Sequence, residues 1–524
     1  MEENLKASVM GPGLICRLDP VRRIVERTLR VTTRAWLKRI AVGTGLLVAL
    51  AACLVIAGLS FRAWDALRAP PLEPWHTFVP DEPHADAIDG LDWAGYLQVE
   101  QRLMAEVRRE VFRTPEDGAA VPLSRYVTGS PVDPGTFGTD WNRSYVMEPD
   151  GAPVGAAVFL HGLTDAPYSL RHLAAVYRDH GFVAVGIRLP GHGTVPAALA
   201  EVEWEDWMAA TRLAAREAIR RAGAGKRLHV VGFSNGGALA VKYALDAIAR
   251  DDLPRPERLV LLSPMVGITV FARYAGLAGL PAFFPAFARA AWLDVLPEFN
   301  PFKYNSFPVN GARQAYQVTQ ALQDQINRAT ADGSIAALPP IHTFQSVADF
   351  TVSTRAIVTN LYARLPRNGS ELTLFDLNRA IGLGPLIDRS METIVARLLP
   401  PVPRAFRTTL VTNAEPSSLE AIERSVEEGA TTEAVAPIGL AFPPAAFSLS
   451  HVALPFPVTD PLYGSQPDKT EGFGINLGAL TPRGERGVLV VPLDALVRIS
   501  SNPFYPYIER RVAEEIDRMP QRHH

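Results

Sequence analysis

The sequence predicts an α/β fold, a mostly parallel sheet flanked by helices, with one membrane-crossing helix ahead of it. Three observations predict this. Ile40 to Phe61 is a run of 22 residues without a charge. From about residue 140 onward, short apolar runs alternate with helical segments, the pattern of a parallel sheet covered by helices. Finally, a Gly-x-Ser-x-Gly segment, Gly232 to Gly236, joins one of those runs to a helix of small residues.

Composition narrows the possibilities further. Of 524 residues, 48% are hydrophobic and 20% charged. Such a chain can bury a sizeable core and is too apolar to stay disordered. Its 52 Lys and Arg nearly balance 55 Asp and Glu, so bulk charge offers nucleic-acid phosphates no attraction and no nucleic-acid partner is expected. Two cysteines, Cys16 and Cys53, cannot build a disulfide framework. Both precede the predicted fold, which can therefore form in an oxidising compartment without a thiol at risk.

The uncharged run IAVGTGLLVALAACLVIAGLSF matches the roughly 20 helical residues needed to cross a hydrocarbon core. A buried soluble helix would normally keep a polar stripe, and this run has none. Arg22, Arg23, Arg27, Arg30, Arg34, Lys38 and Arg39 precede it, whereas only Arg62 and Arg68 follow closely. Cationic flanks remain in the cytoplasm, so the long C-terminal part is expected outside it. Trp36, Trp64 and Trp75 are candidate anchors at the interface. A cleaved signal peptide has an apolar region of about 7–15 residues, shorter than this one. Leu50-Ala51-Ala52-Cys53 resembles a bacterial lipoprotein box. Cleavage there would leave Leu54-Val55-Ile56-Ala57 where a polar tether is expected.

The predicted organisation is a basic cytoplasmic segment (1–39), the membrane helix (40–61), a Pro-rich linker (62–90) and one large domain (91–524). Residues 91–113 read as a helix rich in strong helix formers. Strands are expected at Ala156–Leu160, Phe182–Leu189, Leu228–Phe233, Leu259–Leu262, Ile341–Gln345 and Leu372–Leu377. Helices are expected near 168–180, 203–222 and 236–250, with Gly181 and Gly223 closing two of them. Two stretches break the alternation. The aromatic region at about 268–338 reads as a lid insertion and about 380–440 as a second insertion.

In RLHVVGFSNGGALA (227–240), Ser234 is placed where a strand turns sharply into a helix. Such a turn lifts a hydroxyl above the sheet and needs small residues two places to either side, here Gly232 and Gly236. It also directs a helix N-terminus at any negative charge that develops there. Ser234 is thus the candidate nucleophile.

FLHGLTDAPYS (159–169), RLPGHG (188–193) and VVGFSNGGALA (230–240) together resemble the α/β-hydrolase superfamily. Within it they are similar to the monoacylglycerol lipases and carboxylesterases, the group also described as serine aminopeptidase-like. The resemblance implies an α/β-hydrolase fold and an oxyanion hole formed by the backbone N–H groups of Leu163 and Asn235. It also implies a triad in the chain order Ser, acid, His. Of the histidines after Ser234, His342 lies within an expected strand, and His523 and His524 end the chain. His451 in FSLSHVALPF is left as general base, and His161 is read as a structural loop residue. The acid is expected at Asp349 in SVADFTV, where Ser346 stands at the usual Gly place, with Asp376 in reserve.

These readings describe a serine hydrolase of carboxylic esters, anchored in a bacterial inner membrane with its catalytic domain on the periplasmic side. The expected partners are a small acyl ester, lipid esters included, and the membrane itself. Neither a cofactor nor a metal is expected, for no His-Glu-x-x-His, Cys/His cluster or P-loop occurs. A peptidase or amidase with the same triad, and a non-catalytic binding module, are the alternatives. On the predicted topology, protease added outside spheroplasts cleaves the chain beyond Phe61 and spares the segment before Ile40. Protection of the C-terminal part would reverse the orientation.

Overall fold

The alternating runs form one ten-stranded sheet in a computed structural model that describes residues 19–68, 71–116, 118, 120–267, 282, 285–381, 394–480 and 498–518. The chain divides into two units, Met1–Ala69 and Pro70–His524.

The first unit is one long helix, α1 (Asp19–Arg68). Its stretch Arg39–Trp64 is long and apolar enough to cross a membrane. Leu46, Leu47, Leu54, Ile56 and Phe61 are exposed on it, as is Cys53. Residues 1–18 of the basic segment lie outside the described residues.

In the second unit, the first long helix is α2 (Trp93–Glu110), started by Asp92, whose carboxylate accepts the Gly95 N–H at 2.7 Å. The sheet strands are β1 (Tyr145–Met147), β2 (Gly155–Leu160), β3 (Phe182–Ile187), β4 (Arg227–Phe233), β5 (Arg258–Leu262), β6 (Ile341–Ser346) and β7 (Glu371–Phe375). Three more follow: β8 (Arg407–Asn413), β9 (Glu420–Val426) and β10 (Glu433–Ala441). Their spatial order is β1-β3-β2-β4-β5-β6-β7-β8-β9-β10. From β3 through β8 all neighbours are parallel, while β1, β9 and β10 pair antiparallel at the two edges.

Helices α3 (Arg171–Asp179), α4 (Trp204–Ala222), α5 (Asn235–Ala249), α6 (Val309–Asp332) and α7 (Tyr505–Arg518) complete the layers. Side chains alternate across a strand, so β2 sends Val158 and Leu160 into the core with Trp207, Leu239 and Leu322, from α4, α5 and α6. Ala157 and Phe159 point the other way and join Leu173 of α3 and Ile508 and Val512 of α7. With both faces covered, β2, β3, β4 and β6 are buried along their whole length, which explains the continuous apolar sequences of β2 and β3. Gly181 and Gly223 take positive φ after α3 and α4, as their C-terminal places require. This is the α/β-hydrolase fold with added segments, preceded by one long apolar helix.

Four readings change on contact with the structure. Trp75 is not an interface anchor: it is buried and stacks on Tyr126 with ring centroids 5.2 Å apart. The linker at 62–90 is largely structured, since α1 runs to Arg68 and the short helices Pro74–Thr77 and Ala85–Asp89 bury His76 and Ile88. Of the lid insertion, residues 268–281, 283 and 284 lie outside the described residues. Its second half is α6, whose Val318, Leu322 and Ile326 belong to the core, and Trp292, Phe299, Phe302 and Tyr304 are buried as well. Of the second insertion, residues 382–393 lie outside the described residues. The rest is chiefly β8, β9 and β10, which widen the sheet and do not overhang it.

Helix α7 is tied to the sheet by buried charges. Arg511 donates to Glu371 Oε2 at 2.6 Å, Arg258 to Glu515 at 3.1 Å, and His342 Nδ1 lies 2.5 Å from Glu515 Oε1. Burial alone would push the Glu371 carboxyl up, but His342, Arg511 and Arg407 outweigh it and hold it at about 2. Its stabilising contribution is therefore complete above the ordinary carboxylate pKa and is lost as pH falls toward 2. Glu371→Gln takes from Arg511 its nearest carboxylate, leaving Glu423 and Glu514 at 4.0 and 3.8 Å, and should cost about 3 kcal/mol near pH 7. The difference in melting temperature between wild type and variant should shrink as pH drops from about 5 to about 3. A difference that stays constant over that range would contradict the linkage.

Candidate active site

At the end of β4 the chain turns into α5 through Ser234, which has φ 54° and ψ −114°. A β-carbon is strained at that φ, and the surroundings must hold it there. They do so with backbone hydrogen bonds: the Ser234 N–H donates to the Leu262 carbonyl at 3.0 Å, and the Met265 N–H donates to the Ser234 carbonyl at 2.9 Å. A side chain at Gly232 would strike the Gly236 carbonyl, and one at Gly236 would strike the Leu160 carbonyl. One at Gly237 would come within 2.6 Å of Pro264. Three glycines thus allow strand, turn and helix to touch through their backbones.

The loop after β2 runs beside this turn. His161 is fully committed within it: its Nε2 accepts the Leu189 N–H at 3.1 Å, so Nδ1 carries the proton and donates to the Gly162 carbonyl at 2.9 Å. Burial, and then the neighbouring His192, keep its ring neutral far below the usual histidine range. Thr164 has φ 65°, and the Tyr304 N–H donates to its carbonyl at 2.9 Å. Lys303 pairs with Asp165 at 2.7 Å. Among the described residues, the N–H groups of Leu163 and Asn235 donate to no protein acceptor. For Asn235 this is the ordinary state of the first residue of a helix.

Asp349 follows β6, and its carboxylate is enclosed. Its Oδ1 accepts the N–H groups of Thr351 and Val352 at 2.8 and 2.9 Å. Its Oδ2 lies 2.8 Å from Nδ1 of His451. An ionised carboxylate only accepts, so His451 Nδ1 carries a proton and donates it to this contact. Burial alone would raise the Asp349 carboxyl. His451, the Val352 N–H and the Ser263 hydroxyl together hold it below the usual carboxylate range, although that hydroxyl makes no well-formed hydrogen bond. The His451 ring stands 5.2 Å, centroid to centroid, from Phe233, the residue before Ser234.

The structure thus brings Asp349 and His451 together and sets the imidazole against the strand end that carries Ser234. It does not bring the reserve acid to that imidazole: Asp376 accepts from Thr412 at 2.9 Å and from Arg379 at 3.3 Å. His342 is occupied by Glu515 and Thr373. His523 and His524 lie outside the described residues. His342, Glu371 and Glu515 could offer ligand atoms within 4.8 Å of one another, but Arg511 and Arg258 already neutralise the two carboxylates. Sequence reasoning missed Lys303 and Tyr304 as supports of the loop after β2. They lie in a stretch read as lid, and nothing local marks a lysine as the partner of an aspartate 138 residues away.

Residues 151–378 match the family model described as serine aminopeptidase, S33. Over 95 residues the chain is 32% identical to a thermostable monoacylglycerol lipase from Bacillus sp. (strain H-257), a match covering 18% of this chain and 36% of that lipase. Similar solved structures include one from work on the metagenome-derived lipolytic enzymes LipS and LipT. It is 20% identical, covers 49% of this chain and 95% of its own, and has a TM-score of 0.36. Another is a soluble variant of monoglyceride lipase from Saccharomyces cerevisiae with a substrate analog, 14% identical, covering 44% and 81%, with a TM-score of 0.34. The matching family model spans β2 through β7 of the α/β-hydrolase fold.

The crowding at the turn yields a direct test. Gly236→Ala should lower stability by about 3 kcal/mol or more, because the added methyl meets backbone that cannot step aside. Chemical denaturation of the two proteins in the same detergent measures this. An unchanged midpoint would mean that the turn is looser than described.

Proposed function

We propose that this protein is a membrane-anchored serine hydrolase that cleaves carboxylic esters with a fairly apolar acyl or alcohol part, as monoacylglycerol lipases and carboxylesterases do. The observation that carries this reading is the 2.8 Å Asp349–His451 contact beside the strained turn at Ser234. In the proposed reaction, His451 Nε2 takes the proton from the Ser234 hydroxyl as the oxygen attacks the acyl carbonyl. Negative charge moves to the carbonyl oxygen, where the Leu163 and Asn235 N–H groups receive it. The imidazolium is stabilised by Asp349 and returns its proton to the departing alcohol. Water then attacks the acyl-enzyme with His451 again as base, releasing the acid and restoring Ser234.

In this proposal α1 crosses the bacterial inner membrane with its basic end in the cytoplasm, and the α/β-hydrolase domain works on the periplasmic side. The second reading is an aminopeptidase, favoured by the description of the matching family model. The same Ser, His and Asp serve both chemistries, so the pocket decides between them.

A fluorophosphonate probe should label the wild type and leave Ser234→Ala unlabelled. Asp349→Asn should slow labelling by about a thousandfold or more, because the imidazole loses its orienting carboxylate, while Asp376→Asn should label like wild type. Hydrolysis of p-nitrophenyl esters of rising chain length, against aminoacyl anilides, then separates esterase from peptidase. Equal labelling of Ser234→Ala would end the hydrolase reading.

A further inference from the structure

Gln345 is the last residue but one of β6 and is completely buried. Its Nε2 lies 3.1 Å from Asp349 Oδ2, 3.0 Å from Thr354 Oγ1 and 3.3 Å from the Ser346 carbonyl. These neighbours dictate which way the amide faces. A carboxylate and a carbonyl only accept. Thr354 gives its own proton to the Ser346 carbonyl at 3.0 Å, so its oxygen accepts as well. Turning the amide over would set a carbonyl oxygen against a carboxylate oxygen.

The other end of the amide tells the same story. Gln345 Oε1 is buried without a hydrogen-bond partner. An orphaned acceptor destabilises a core, and an apolar side chain of similar shape would fill the space without that cost. What distinguishes glutamine from leucine or methionine here is the N–H aimed at Asp349. The oxygen it reaches is the one that faces His451 at 2.8 Å. Thr351 and Val352 hold the other oxygen from a loop, whereas Gln345 approaches from a strand paired on both sides.

We propose that Gln345 is a positioning residue for hydrolysis: its amide fixes the plane of the Asp349 carboxylate so that Oδ2 stays aligned with His451 Nδ1. The proposal rests on the triad reading above. Gln345 touches neither substrate nor nucleophile in this scheme, so its loss acts on turnover and not on substrate binding. Gln345→Leu removes the donor and lets the carboxylate rotate. Gln345→Glu keeps the shape and, buried beside Asp349, takes up a proton, so that its hydroxyl can donate in the amide's place.

The test uses the full-length protein in detergent, a p-nitrophenyl ester and the fluorophosphonate probe. For Gln345→Leu, kcat should fall about ten- to a hundredfold, the worth of one hydrogen bond to a charged group, with KM changed by less than about threefold. For Gln345→Glu, which can donate while it holds its proton, kcat at the acid end of the profile should return to within about threefold of wild type and then fall as rising pH ionises the second carboxyl. A space-filling role would leave kcat of the leucine variant at the wild-type value. If Gln345→Leu does not fold, Gln345→Met, which also lacks the donor, takes its place. Wild-type kcat in the leucine variant, or a glutamate variant no faster than it at the acid end, overturns the proposal while leaving the triad reading intact. A wild type that the probe does not label removes the triad reading and this role with it.

Discussion

Backbone lies against backbone around Ser234, and the rest of the site depends on that contact. Gly232 and Gly236 leave no volume between β4, the start of α5 and the end of β2. The turn can therefore close tightly enough to hold a serine at φ 54°. The same closeness puts the Leu160–Leu163 segment beside the first N–H of α5. A single added carbon would push these elements apart.

Parallel strands make such a meeting possible because their C-terminal ends lie along one edge of the sheet. The loop with Leu163 leaves β2, Ser234 leaves β4, Ser263 leaves β5 and Asp349 leaves β6. These strands are successive neighbours in space, with only β3 of the sheet passed over between β2 and β4. His451 arrives by a longer route. After β7 the chain adds β8, β9 and β10 to the sheet and only then returns, so 102 residues separate Asp349 from its imidazole partner. Because the added strands extend the sheet sideways, they lengthen that path without obstructing the edge where the pair meets.

Local constraints were readable in the chain and long-range pairings were not. The membrane helix, the buried strands and the Ser234 turn each arise from a few neighbouring residues: charge-free length, apolar runs, glycines at fixed offsets. Trp75 misled because an aromatic next to a membrane segment and an aromatic in a core have the same local signature. The aromatics at 292–304 misled for the same reason, since only packing reveals that Trp292 and Phe302 are interior. The strands at 407–441 were read as an excursion because polar residues interrupt them, as Glu420, Glu423, Arg424 and Ser425 do in β9, and because β10 at the sheet edge is largely exposed.

The sequence by itself determined where the chain can enter a membrane, where it must form a parallel sheet and where it can make one strained turn. Each follows from the chemistry of adjacent residues. Only the tertiary structure decided that Asp349 and not Asp376 meets His451, that His161 and His342 are already engaged, and that Gln345 reaches the carboxylate facing the imidazole. Hydrogen bonds are formed between whichever groups folding brings within about 3 Å, and that distance is set by the packing of the whole sheet.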